Sequence, residues 1–93
     1  MTGQDKFELG HVYATPGALE AMQEARQWPT RFLARHVRGD WGEVDAEDAA
    51  ENELSVTNGF RILSAYTLRT GVRIWVITEA DRSATTILLP EEY

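Results

Sequence analysis

The sequence predicts an α+β fold, in which N-terminal helices pack on a three- to four-stranded antiparallel β-meander, and three features carry that prediction. The apolar period changes from that of a helix to two at Asn58-Gly59, a strong turn signal. The runs after it are joined by only a few residues, which makes consecutive strands antiparallel neighbours. Helix starts and stops punctuate the chain before it, at Thr15-Pro16, Pro29, Gly39 and Asp45. Helices first and strands after describe an α+β domain with its helices on one face of the sheet.

Residues 7 to 14 alternate loosely and supply a short first strand at a sheet edge, weakened by Gly10. Thr15 caps a helix that begins at Pro16 and runs to about Gln27, with Ala18, Leu19, Met22 and Ala25 on its inward face. Pro29 stops this helix because its ring pushes Trp28 out of helical geometry. Thr30 then caps a second helix, which Gly39 ends; its inward stripe is Phe32, Leu33, His36 and Val37, and Arg31, Arg35 and Arg38 face outward. Asp45 caps a third helix with Glu47 and Asp48 in its first turn, docked through a thin apolar side of Ala46, Ala49, Ala50 and Leu54. Three strands follow, turned by Thr70-Gly71 and by Ala80 to Ser83. The expected core is Leu19, Met22, Leu33, Val37, Leu63, Ile74, Val76, Ile87 and Leu89.

Ninety-three residues with 43% apolar content make one domain with one modest core, and no repeat or linker suggests a second. The chain has no cysteine, which excludes disulfides and thiolate metal sites and points to a reducing compartment, the bacterial cytoplasm. The first residues lack the apolar run of a signal peptide and no stretch of 18 apolar residues occurs, so neither export by that route nor a membrane span is expected. The net charge of −6 is concentrated: residues 40 to 54 hold seven carboxylates and no base, while the segments on either side nearly balance. That opposes nonspecific nucleic-acid binding. Two histidines without cysteine or a short His-x-His spacing make no zinc site, and the acidic stretch lacks the glycine and final glutamate of a calcium loop. No metal and no cofactor are implied.

Four stretches carry a resemblance: Ala14 to Leu19, His36 with Gly39-Asp40-Trp41-Gly42, Gly59 to Tyr66, and Trp75 to Ser83. Together they resemble short proteins carried by bacterial plasmids, integrated elements and phages, a group without a settled activity. The resemblance covers nearly the whole chain and implies a mobile-element setting while transferring no catalytic role. At the level of architecture alone, helices followed by a polar meander are similar to small RNases of the barnase and RelE-like toxin type.

Four features bear on function. The turn Glu79-Ala80-Asp81-Arg82-Ser83 gathers two acids, a guanidinium and a hydroxyl, a set suited to anion binding or acid–base work, although turns favour such residues for backbone reasons too. His36 is a candidate general base or a core-edge histidine. Arg61, Arg69 and Arg73 fall on strand faces that also hold Leu63, Trp75 and Ile77, a surface for phosphate and base stacking or simply arginines covering rings. The acidic segment is the sharpest anomaly, with Asp45, Glu47, Asp48 and Glu51 on adjacent helical rows. The leading expectation is therefore a non-enzymatic binding protein of a mobile element, docking a basic protein surface through those four carboxylates, in host defence or element maintenance. The alternative is a metal-independent RNase that acts on nucleic acid through His36, Glu79, Asp81 and Arg82.

Overall fold

The computed structural model describes residues 4–93. The elements in order are β1 (His11–Ala14), α1 (Pro16–Ala25), α2 (Pro29–Val37), α3 (Ala46–Asn58), β2 (Ile62–Thr67), β3 (Arg73–Thr78), β4 (Ala84–Leu88) and a closing 3₁₀ turn, Pro90–Glu92. The fold is α+β, with helices preceding the meander. The sheet order is β1-β4-β3-β2, and β2, β3 and β4 form the antiparallel meander with Leu63 opposite Ile77 and Val76 opposite Ile87.

The sheet is mixed rather than wholly antiparallel, because β1 pairs with β4 in parallel, His11 opposite Ala84 and Ala14 opposite Ile87. Short turns force antiparallel pairing only where they join two strands directly. Between β1 and β4 lies most of the chain, so no turn sets the direction of β1. It is set instead by the hand-over into α1: Thr15 N–H donates to the Ile87 carbonyl at 3.0 Å and the Thr15 hydroxyl accepts from Ala18 N–H at 3.1 Å. Thr15 also donates to Glu92 at 2.6 Å, which ties the last turn to the first helix and draws the Glu92 carboxyl below its usual range.

Ala18, Ala21, Met22 and Ala25 of α1 and Phe32 of α2 pack against Tyr66, Ile74, Val76 and Ile87 of the sheet and Leu68 just beyond β2. The alanines let α1 approach closely, and Phe32 meets the Tyr66 ring at 5.5 Å. Ile74, Val76, Ile87, Met22 and Val37 are buried as expected. Leu33, Leu63 and Leu89 are only half-buried, and Leu19 is 40% exposed. In β2 the inward set is Ile62, Ser64 and Tyr66, with Leu63 on the other face. A serine takes the core position because a polar partner from α2 waits for it there.

Two helix boundaries differ from expectation. α1 stops at Ala25, since Arg26 adopts a left-handed φ of 56° and its N–H returns to the Gln23 carbonyl. α2 starts at Pro29 itself, whose fixed φ suits a first helical position; Trp28 precedes it, and Thr30 caps nothing.

Candidate functional site

His36 is fully buried, at 0% exposure, and both of its ring nitrogens are engaged. Nδ1 lies 2.6 Å from the Ser64 hydroxyl and Nε2 lies 2.9 Å from the Thr78 hydroxyl. Thr78 is 2.7 Å from Thr85, whose hydroxyl donates to the Leu9 carbonyl at 2.7 Å. Each hydroxyl has one proton to give, so the terminal carbonyl fixes the direction of the whole chain. Thr85 donates to Leu9, Thr78 donates to Thr85, Nε2–H donates to Thr78, and the bare Nδ1 accepts from Ser64. The ring is therefore the neutral Nε2–H tautomer. Burial, helped by the nearby Arg82 charge, lowers its pKa to about 4. Phe7 and Trp41 close over the ring edge-on, at 5.1 and 6.1 Å. This histidine pins α2 to the sheet and presents no surface to a substrate.

In the turn between β3 and β4, Arg82 carries a φ of 62°, a left-handed conformation usually given to glycine. Its side chain supplies the compensation. Nη2 donates to the Ser55 carbonyl at 2.7 Å, and Nη1 donates to the Phe60 carbonyl at 2.7 Å and to the turn carbonyls of Glu79 and Ala80. A cation at the C-terminal end of α3 also meets the negative end of the helix dipole. Asp81 accepts from Ser83 N–H at 3.0 Å, and the Ser83 hydroxyl and this N–H together hold its carboxyl below the usual range. Glu79 is exposed, so the structure brings Arg82 near His36 electrostatically without opening a cleft between them.

The acidic segment separates into two groups. Asp40 receives Arg35 at 2.7 Å, Glu43 receives Arg73 at 3.0 Å and Thr67 at 2.6 Å, and Glu53 receives Lys6 at 3.3 Å and the Trp41 indole at 2.9 Å. Asp45 caps α3, accepting from Asp48 N–H at 2.8 Å. The fold thus uses four of the seven carboxylates, more than the charge map alone suggests. Glu47, Asp48 and Glu51 are exposed, and among the described residues their side chains enter no ion pair.

α3 is also turned the opposite way from the helix expected of its sequence. Its buried face is Asn52 and Ser55, flanked by the half-buried Ala49 and Val56, while Ala46, Ala50 and Leu54 face water. Asn52 explains the inversion. β2 is an edge strand, and the Asn52 amide donates to the Leu63 carbonyl at 2.8 Å while its oxygen accepts from Leu63 N–H at 3.3 Å, as another strand would do. Beside it Ala65 N–H reaches the Trp41 carbonyl and the Ala65 carbonyl receives Glu43 N–H, so the free edge of β2 is closed. Leu54 is left 61% exposed on the side of the helix that carries Glu47 and Glu51.

The sequence gives little warning of one further feature. The corner between α1 and α2 holds Trp28 at 77% exposure, beside a concavity of about 360 Å³ that Leu19, Met22 and Pro29 also line. Arg26, Arg31 and Arg69 line a second concavity that the same indole borders. None of the three enters an ion pair among the described residues. The available signal was an indole set between two helices with an arginine on either side. Of the sheet arginines, Arg61 lies over the Tyr93 ring and Arg73 is held by Glu43. Among the described residues, no group of three or more His, Asp or Glu is placed to hold a metal ion, and no helix is long and apolar enough to cross a membrane. Comparison with protein-family models, curated proteins and solved structures finds no match for this chain.

Proposed function

We propose that the protein is a non-enzymatic binding module that docks a basic protein surface through the outward face of α3. One observation carries the reading: of seven carboxylates between Asp40 and Glu53, the fold employs four, and the three it does not employ, Glu47, Asp48 and Glu51, are exposed on one helix, Glu47 and Glu51 on the side that carries Leu54. An apolar centre with a charged rim is the anatomy of a contact surface, the apolar part giving affinity and the rim giving orientation and rate. The groups best suited to chemistry point the same way, since His36 is sealed in the core and Arg82 is committed to four backbone carbonyls. The setting is that implied by the sequence resemblance, an accessory protein of a mobile element acting in the bacterial cytoplasm.

The test is capture from bacterial lysate at low and high salt, with wild type and with the triple variant Glu47→Gln, Asp48→Asn, Glu51→Gln. The variant keeps its far-UV circular dichroism, because those side chains enter no ion pair among the described residues, and it loses the salt-sensitive partner that wild type retains. Equal capture by both proteins contradicts the assignment of α3.

A further inference from the structure

Arginine, tryptophan and an apolar hollow meet at the α1–α2 corner in the arrangement that dominates binding energy at protein interfaces. Leu19, Met22, Trp28 and Pro29 line the apolar hollow with Arg26, and Arg26 and Trp28 also border a second concavity that Arg31 and Arg69 line. α3 carries the counterpart: Leu54 and Ala50 at the centre, Glu47 and Glu51 on the rim. Each half leaves its apolar centre in water and its charges without intramolecular ion pairs among the described residues. Within one molecule the two do not meet, as Trp28 and Leu54 both remain open to solvent.

We propose that the basic surface recognised by α3 belongs to a second copy of this chain, with Leu54 seated in the hollow beside Trp28 and Glu47 and Glu51 set against Arg26, Arg31 and Arg69. The inference rests on the reading of α3 as the docking face and adds the identity of its partner. An amphipathic helix entering an apolar groove is a recurrent mode of recognition, with anchors at positions i and i+4, here Ala50 and Leu54. The contact joins two different surfaces, so each copy offers one donor helix and one acceptor corner. Charge on both rims makes it salt-sensitive.

Sedimentation of the full chain from micromolar to millimolar concentration tests this directly. At low salt the mean mass rises above that of the 10.5 kDa chain, and it falls back as salt is added. Two variants divide the contact: Glu47→Lys with Glu51→Lys and Leu54→Ser removes the donor helix, and Arg26→Glu with Arg31→Glu and Trp28→Ala removes the acceptor corner. Each alone stays monomeric while keeping its circular dichroism. Mixed, they form a one-to-one pair, because each retains the half that the other lacks. Wild type that remains monomeric throughout overturns the self-contact, and so does association that survives either variant. A monomeric wild type whose α3 variant still loses its captured lysate partner would retain the docking face and remove only the second copy.

Discussion

α2 and α3 are neighbouring helices that attach to the same sheet by opposite means. α2 buries an apolar stripe, Phe32 and Val37, and adds one polar pin, His36, whose two nitrogens find hydroxyls on β2 and β3. α3 buries Asn52 and Ser55 and leaves Leu54 outside. The difference follows from what each helix covers. α2 lies on the inner face of the sheet, where side chains of strands must be met by apolar volume. α3 lies along the edge strand β2, where unpaired backbone groups must be met by an amide. Periodicity therefore identifies which residues share a face of a helix, while the surface it covers decides which face turns inward.

The largest expected effect breaks the apolar side of that comparison. Phe32→Ala removes a ring packed on Tyr66 at the centre of the core and is expected to cost about 3 to 5 kcal/mol, read from chemical denaturation. A loss below about 1 kcal/mol, close to the range of surface substitutions, would mean that α2 is not held by its stripe.

The polar pin gives α2 a pH signature. The folded His36 has a pKa of about 4 against an ordinary 6.5, so between those values the unfolded chain takes up a proton that the folded one refuses. The stability that the neutral ring confers is complete above pH 6.5 and declines as pH falls towards 4. By then about 3 kcal/mol is lost, since each pH unit separating the two values corresponds to about 1.4 kcal/mol. Asp40, whose carboxyl is lowered by its bond to Arg35, adds a loss of the same sign further into acid. His36→Gln is less stable at neutral pH and lacks the slope between 6.5 and 4. An unchanged slope in that variant would place the titrating group elsewhere.

The contrast also marks how far the residues disclose the fold. The meander, the Thr15 and Asp45 caps and the core positions of Ile74, Val76 and Ile87 are legible because turn residues and a period of two act locally. The inward Ser64 is not, since its suitability depends on His36, 28 residues away. Nor is the parallel pairing of β1, which no short turn dictates. The outward Leu54 misled for a related reason: a leucine on a helix usually faces inward, and only the exposed edge of β2 gives Asn52 the stronger claim. At the candidate site the three free carboxylates were visible as charge. Their separation from the four that the fold employs depends in part on the distant partners Lys6 and Arg73, which hold Glu53 and Glu43.

The most direct test of the inverted helix is the paired denaturation of Asn52→Ala and Leu54→Ala. Asn52 is 6% exposed and holds both backbone groups of Leu63, so its truncation is expected to cost about 1 to 3 kcal/mol. Leu54→Ala, at a position open to solvent, should fall within about 0.5 kcal/mol of wild type, measured on dilute protein to keep chains apart. The reverse result, a costly Leu54→Ala and a neutral Asn52→Ala, would contradict the orientation of α3 and, with it, the surface assigned to binding.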